Sequence, residues 1–289
     1  YAGSYSAGDW VADPNCLENG GVIQGPFCKI LYGTRFNMVN DEDHEKFYIS
    51  YKKDMGNLSF GIKYIDSSID VNDNPQSPSY PALSFMSRKI LPGQGGSPFN
   101  VPVTWYGRPL GSAFPSPIST KDIDQYHFSS SVIIELRNQA NLELSFTKSR
   151  HRNFHNRPDT INSRMEKAIA GNGGVNGNET WNLFNPLLNS SSLIEYIKGS
   201  EQSLKIGELK SVDAIIRTKL GENNLAIGLQ LNQESLDVSY NELSRAEFNA
   251  DGDLIKSADL LFLGGGRNTF AKRDKEAIFF EVEKIFSEN

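Results

Sequence analysis

Residues 128–147, FSSSVIIELRNQANLELSFT, alternate apolar and polar side chains on either side of a polar break. Phe128, Val132, Ile134 and Leu136 share one parity, and His127, Ser129, Ser131 and Glu135 the other. After Arg137-Asn138-Gln139, Leu142, Leu144 and Phe146 oppose Asn141, Glu143, Ser145 and Thr147. Successive side chains of a strand point to opposite faces, so this stretch reads as an antiparallel hairpin with one apolar and one polar face.

The same unit occurs on both sides of it. Upstream, Phe47, Ile49 and Tyr51 oppose Tyr48, Ser50 and Lys52; past Met55-Gly56-Asn57, Leu58, Phe60, Ile62 and Tyr64 oppose Ser59, Gly61 and Lys63. Downstream, Val212, Ala214, Ile216, Thr218 and Leu220 oppose Ser211, Asp213, Arg217 and Lys219, with Ile215 breaking the polar face. Beyond Gly221-Glu222-Asn223, Leu225, Ile227, Leu229 and Leu231 oppose Ala226, Gly228, Gln230, Asn232 and Glu234. A seventh strand sets Ile278, Phe280 and Val282 against Glu281 and Glu283, and is expected to lack its hairpin partner. The chain thus divides into a loop over 1–44, hairpins over 45–66, 122–150 and 205–238, and a last strand over 275–287.

Long two-sided strands, tight turns at one end and long irregular connections at the other point to an all-β fold, an antiparallel transmembrane β-barrel fragment of about seven strands. A water-soluble antiparallel sheet also alternates. Its strands average about five or six residues, however, and connections as long as 67–121, 151–204 and 239–272 are uncommon in compact domains. On the barrel reading the tips at 56, 138 and 222 face the periplasm, the long loops lie outside, and Lys63, Glu135, Glu143, Gln230, Glu234 and Glu281 face the lumen.

Composition narrows the classes. With 289 residues, 38% hydrophobic and 22% charged, the chain is too apolar for disorder. Its mean hydropathy of −0.43 is compatible with a barrel, half of whose strand positions are polar. No apolar run approaches the roughly 18 residues of a helical span. The start, Tyr1-Ala2-Gly3-Ser4-Tyr5, is expected to be a break in a longer chain. A net charge of −6, with no basic stripe, argues against a nucleic-acid partner.

The loops hold the remaining signals. Cys16 and Cys28, the only cysteines, suit a disulfide in an oxidising compartment; two unrelated thiols are the other reading, and no second Cys/His pair has metal-ligand spacing. Nine prolines between 67 and 121, Pro75, Pro78, Pro81, Pro92, Pro98, Pro102, Pro109, Pro115 and Pro117, leave little room for a ladder there. Short helices are expected near Arg164–Ala170 and Ser192–Lys198. Trp105, Tyr106, Arg108, Trp181, Phe184 and Tyr196 are residue types that make stacking and hot-spot contacts, and they are candidates for ligand binding or for packing the loops together.

Other patterns point to ordinary structure. His151 and His155 read as a surface pair on one side of an extended strand end, and Asn249-Ala250-Asp251-Gly252-Asp253 as a turn rather than a calcium loop. The glycines at 171–174 and 264–266 lack a P-loop Lys-Ser/Thr. There is no Gly-x-Ser-x-Gly elbow and no Cys/His nucleophile arrangement, so neither an enzyme nor a cofactor is expected.

Several segments together resemble a family. Tyr32-Gly33-Thr34-Arg35-Phe36-Asn37-Met38-Val39 followed by Asp41-Glu42-Asp43-His44, then Arg108-Pro109-Leu110-Gly111, Trp181-Asn182-Leu183-Phe184-Asn185-Pro186, and Gly252-Asp253-Leu254 leading to Leu263-Gly264-Gly265-Gly266 before Arg273, resemble the barrel of TonB-dependent outer-membrane receptors. The cysteine pair before the Tyr-Gly segment fits too. The resemblance implies a parent barrel of about 22 strands in a Gram-negative cell outer membrane. It also implies an N-terminal plug domain, the TonB complex as energy source, and a siderophore, cobalamin or oligosaccharide as substrate. This chain is expected to be a piece from the middle of that barrel, without plug or TonB box. A passive porin or a secreted β-rich adhesin are the other readings.

Overall fold

A computed structural model describes residues 6–29, 39–73, 86–110, 114–115 and 117–284. The strands, in chain order, are β1 (Val22–Gln24), β2 (Phe27–Lys29), β3 (Asp41–Met55), β4 (Leu58–Asp73), β5 (Met86–Ile90), β6 (Val103–Gly107) and β7 (Ser119–Glu135). They continue with β8 (Asn141–Thr160), β9 (Lys198–Leu220), β10 (Asn223–Tyr240), β11 (Glu247–Phe248), β12 (Leu254–Lys256) and β13 (Thr269–Lys284). Two short helices, α1 (Asn162–Ile169) and α2 (Ser191–Ile197), lie between β8 and β9.

Seven long strands form one antiparallel sheet in the order β13-β10-β9-β8-β7-β4-β3, and the other six form three two-stranded hairpins. Among the described residues the sheet stays open, since β3 and β13 lie at opposite edges and do not pair. The all-β antiparallel architecture is as expected; a closed barrel is not formed by these strands. The last strand, β13, pairs with β10 from Asn223↔Lys284 to Val238↔Thr269 across the long connection, and among the described residues its far edge is open.

The tight turns sit where the polar breaks do. Gly56 (φ 62°) and Gly221 (φ 65°) take the left-handed conformation that costs glycine nothing. The third turn is closed by Leu136 N–H donating to the Ala140 carbonyl at 2.7 Å and holds Asn138 (φ 65°) and Gln139 (φ 59°) in the same region.

Every long strand begins or ends outside the window of its alternation. β4 runs to Asp73, β7 starts at Ser119, β8 runs to Thr160 and β9 starts at Lys198. These extensions are mostly polar, with Ile69, Val71, Phe154 and Leu204 the isolated exceptions, so backbone pairing continues where the regular hydrophobic period has stopped. β8 even includes Pro158, which pairs with Ser200 of β9, whereas the β7 ladder on its other side ends at Asn156. A residue without an N–H is tolerated at such a half-edge position.

Register joins the apolar parities of the strands into one continuous surface. One row reads Phe60, Val132, Leu144, Ala214, Leu229 and Ile278, and the next Leu58, Ile134, Leu142, Ile216, Ile227 and Phe280. The surface is exposed: Leu229 keeps 42% of its area and Ile278 81%.

The buried core lies elsewhere. Ile90, Trp105, Met165, Trp181, Leu193 and Ile197 pack together in the long connections at one end of the sheet. α1 contributes Met165, Ala168 and Ile169, spaced for one helical face, and α2 contributes Leu193 and Ile197. Ser190 caps α2 by accepting from Leu193 N–H at 3.1 Å. α1 has no side-chain cap of its own; Asp259 supplies one from the last loop, accepting from Ser163 N–H at 2.8 Å and from its hydroxyl at 2.6 Å.

Tyr32–Met38 and Gly111 of the family resemblance, Pro75, Pro78 and Pro81, Tyr1–Tyr5, and the end of the last strand beyond Lys284 lie outside the described residues.

Candidate ligand-binding surfaces

Two surfaces carry polar or aromatic chemistry, and the first is the other side of the sheet. All six residues expected toward a lumen, Lys63, Glu135, Glu143, Gln230, Glu234 and Glu281, share the face opposite Leu229. Their hydrogen bonds run between strands. Asp213 accepts from Gln230 at 2.6 Å, from Ser211 at 3.0 Å and from Ser145 at 3.4 Å, and Gln230 accepts from Asn232 at 2.9 Å. Glu143 pairs with Arg217 across β8 and β9. Glu234 accepts from Arg273 Nε at 3.1 Å and Lys275 at 2.6 Å across β10 and β13. Cross-strand pairs of opposite charge favour this register, and at this exposure solvent screens each of them strongly.

Ile133, Ile215 and Phe279 interrupt this polar face near the tight turns. Phe279 lies over Gly228, where a Cβ would meet its ring at 2.0 Å. A side chain at 228 has no room, so the glycine is a packing requirement rather than a gap in the pattern.

The second surface is the cap that the long connections build. The Trp181–Pro186 segment folds around two asparagines. Asn182 Oδ1 accepts from Phe184 N–H at 3.0 Å and Asn185 N–H at 2.7 Å, and Asn189 Oδ1 accepts from Asn182 N–H at 2.7 Å. Asn15 Nδ2 donates to the Phe184 carbonyl at 2.9 Å, tying the first loop to the third, and Arg88 donates to Asn162 Oδ1 at 2.7 Å, tying the second to the third. The last loop is held by buried carboxylates at the ends of β8 and β9. Asp159 accepts from Phe262 N–H at 3.0 Å and Leu263 N–H at 2.7 Å, and Glu201, paired with Arg157, accepts from Gly265 N–H at 3.0 Å.

These contacts sort the aromatic candidates. Trp105, Trp181 and Phe184 are buried in the loop core, and Arg108 is half-buried next to core residue Leu110. Tyr106 is exposed and stacks at a tilt on Trp10, ring centroids 5.6 Å apart; Trp10 in turn meets Phe27 at 5.6 Å. The trio joins residues far apart in sequence, so no local pattern points to Trp10 or Phe27. The Arg164 guanidinium lies 5.1 Å from the Tyr196 ring centroid and donates to the Tyr196 carbonyl at 2.9 Å.

Cys16 and Cys28 are joined, Cα atoms 5.6 Å apart, as the oxidising-compartment reading expects. Gly21 fits inside the bridged loop, where a Cβ would stand 2.7 Å from Cys28 Sγ. Burial pushes the Asp13 carboxyl up, against the Asn15 N–H bond that favours its charge. His151 and His155 lie on β8, Asn249–Asp253 forms the β11–β12 turn, and no metal-holding group occurs among the described residues.

No protein-family model, curated protein or solved structure matches the chain.

Proposed function

We propose that this chain is part of an outer-membrane β-barrel receptor for TonB-energised uptake of a scarce nutrient, in the cell outer membrane of a Gram-negative bacterium. The carrying observation is the exposed apolar face that runs from β4 to β13 in two successive rows, with Lys53 of β3 and Glu276 of β13 at its margins, while the apolar core sits in the loops. A water-soluble sheet hides its apolar face; a sheet in lipid presents it.

Dimensions support the reading. Along β7 ten residues separate Leu136, beside a tight turn, from Tyr126, where the same face turns to Asp66 and Arg150; on β8 and β9 it turns charged one row sooner, at Lys148 and Lys210. At about 3.3 Å per residue and about 40° of tilt, this spans about 25 Å, the height of an outer-membrane apolar band. Tyr64 and Tyr126 at its upper border match the aromatic girdle of such bands.

In this role the polar face lines the lumen and meets a plug domain that links the barrel to the TonB complex, and the loop cap receives a small-molecule or glycan substrate. The role is transport, not catalysis.

Refolding tests the reading: the protein is expected to fold only with detergent or lipid, and folding in plain buffer overturns it. Topology is checked by thiol labelling of cells exporting the protein, where Asn178→Cys should react and Asn138→Cys should not.

A further inference from the structure

The outer faces of two loop hairpins meet at the aromatic trio. In β5–β6, Trp105 and Ile90 point into the core, which leaves Ser87, Lys89, Thr104 and Tyr106 on the outer face. In β1–β2, register puts Gln24, Phe27 and Lys29 on one face. Trp10 bridges the two by touching both Phe27 and Tyr106.

These rings are displayed rather than stored. Trp10 is 57% exposed, whereas Trp105 and Trp181 are 8% and 0% exposed. The rings are tilted at 53° and 58°, forming an angled wall that can meet both the face and the edge of a flat guest. The wall is anchored, because Phe27 adjoins the bridged Cys28 and Tyr106 adjoins core residue Trp105.

Charge decides what kind of flat group suits it. Lys29 is two residues along the strand from Phe27, and Lys89 is diagonal to Tyr106 across the β5–β6 pair, a separation of about 7–8 Å that a lysine side chain spans. Asp9, the carboxylate beside Trp10, is turned to Ser6 N–H at 2.7 Å.

We propose that Trp10, Phe27 and Tyr106, flanked by Lys29 and Lys89, form a binding platform for a small organic anion built on a flat ring, of the aryl-carboxylate class. The rings stack on the guest and the ammonium groups meet its carboxylate. The proposal deepens the uptake reading, but its test is separate, since ring binding is scored whether or not the sheet spans a bilayer.

The chain has three tryptophans, hence three indole N–H signals in a nitrogen–proton spectrum of the full chain in detergent, with Trp10→Phe assigning one of them. Benzoate, benzyl alcohol and maltotriose are titrated in turn. Benzoate is expected to shift the Trp10 signal saturably, leave the two buried indoles in place, and bind at least about fivefold more tightly than benzyl alcohol. Changing both Lys29→Gln and Lys89→Gln should abolish that preference while ring binding persists, and Tyr106→Ala should weaken both ligands. An unmoved Trp10 signal, equal affinity for the neutral ring, or tighter binding of maltotriose would each overturn the proposal. The last outcome would make the surface a neutral-sugar platform.

Discussion

The cap and the sheet invert one another. In the cap, Trp181, Met165 and Ile197 are fully buried and polar groups hold the periphery. In the sheet, Ile278, Phe280 and Leu229 face outward, and the hydrogen-bonded network of Asp213, Gln230, Glu143 and Glu234 occupies the other side. On the proposed barrel reading one chain follows two solvation rules: the cap is built for water, and the sheet for a medium that welcomes apolar surface. Reversing the polarity of single sites in each region should therefore have opposite consequences.

The largest effect is expected in the cap. Trp181 is fully buried, and its backbone N–H, which alanine would keep, donates to the Ala168 carbonyl at 2.8 Å. Trp181→Ala should destabilise the cap by about 3–5 kcal/mol through lost transfer energy and the cavity left behind. Protease sensitivity of the connection over 161–197 is the readout, with the long strands remaining protected. If strands and cap open together, the two regions are one cooperative unit and the comparison breaks.

The sheet makes the converse test. An arginine at mid-membrane depth on the lipid side costs about 2–4 kcal/mol, and far less toward the lumen. Leu229 and Gln230 are sequence neighbours on opposite faces, paired with Ala214 and Asp213 respectively. Leu229→Arg should impair folding into bilayers much more than Gln230→Arg. Equivalent mutants, in a protein that still needs a bilayer, would keep the membrane and displace the assignment of the faces. Because a core-facing leucine in a soluble sheet is also intolerant of arginine, the experiment is read in lipid and in buffer.

How much of this could be read from the residues depends on how local each cause is. Period-2 alternation is local, so Phe128–Thr147 already showed the hairpin and its two faces. A short helix was expected near Arg164–Ala170, where α1 lies, and the two lone cysteines suited the bridge that the structure contains. Strand ends were not legible where both faces turn polar, as at His151–Arg157 in β8. Nor could local patterns show the β5–β6 ladder among the prolines, where only five residues pair on each strand. The polar fasteners between the cap's loops join residues some 64–169 positions apart, Asp159 with Leu263, Glu201 with Gly265 and Asn15 with Phe184 among them. Trp105, Tyr106, Trp181 and Phe184 read alike as candidates for ligand binding or for loop packing, and only three-dimensional packing shows that Trp105, Trp181 and Phe184 face inward while Tyr106 faces outward.

A smaller effect is expected where the last loop caps α1. Asp259→Ala removes both acceptors from Ser163 and leaves the helix start without a side-chain partner. The loss should be about 1 kcal/mol, within the range for helix-cap deletions. It is measured as a shift in the denaturation midpoint of the cap at constant slope. A loss as large as that of Trp181→Ala would mean that the polar fasteners, rather than the apolar core, hold the cap.

The smallest expected effect is the pH dependence of the first loop. Burial raises the Asp13 carboxyl above its ordinary value of 3.8, outweighing the Asn15 N–H bond, given at 2.8 Å, that lowers it. A carboxyl with a raised folded value binds its proton more tightly in the folded loop than in the unfolded chain. Its stabilising contribution is fully present below the ordinary value and is lost as pH rises through the folded one. The loop should therefore tighten on acidification through that window, opposite to the trend for a carboxylate held by cations. Asp13→Asn keeps an acceptor for Asn15 N–H and removes the charge. It should leave the loop near its acid-state stability at neutral pH and flatten the profile. Exchange protection of the Asn15, Cys16 and Asn19 amides, corrected for intrinsic pH dependence, reports the change, since each closes a backbone or side-chain turn in this loop. A profile that keeps its slope in the variant would place the pH dependence at another group and leave the burial of Asp13 without consequence for the cap.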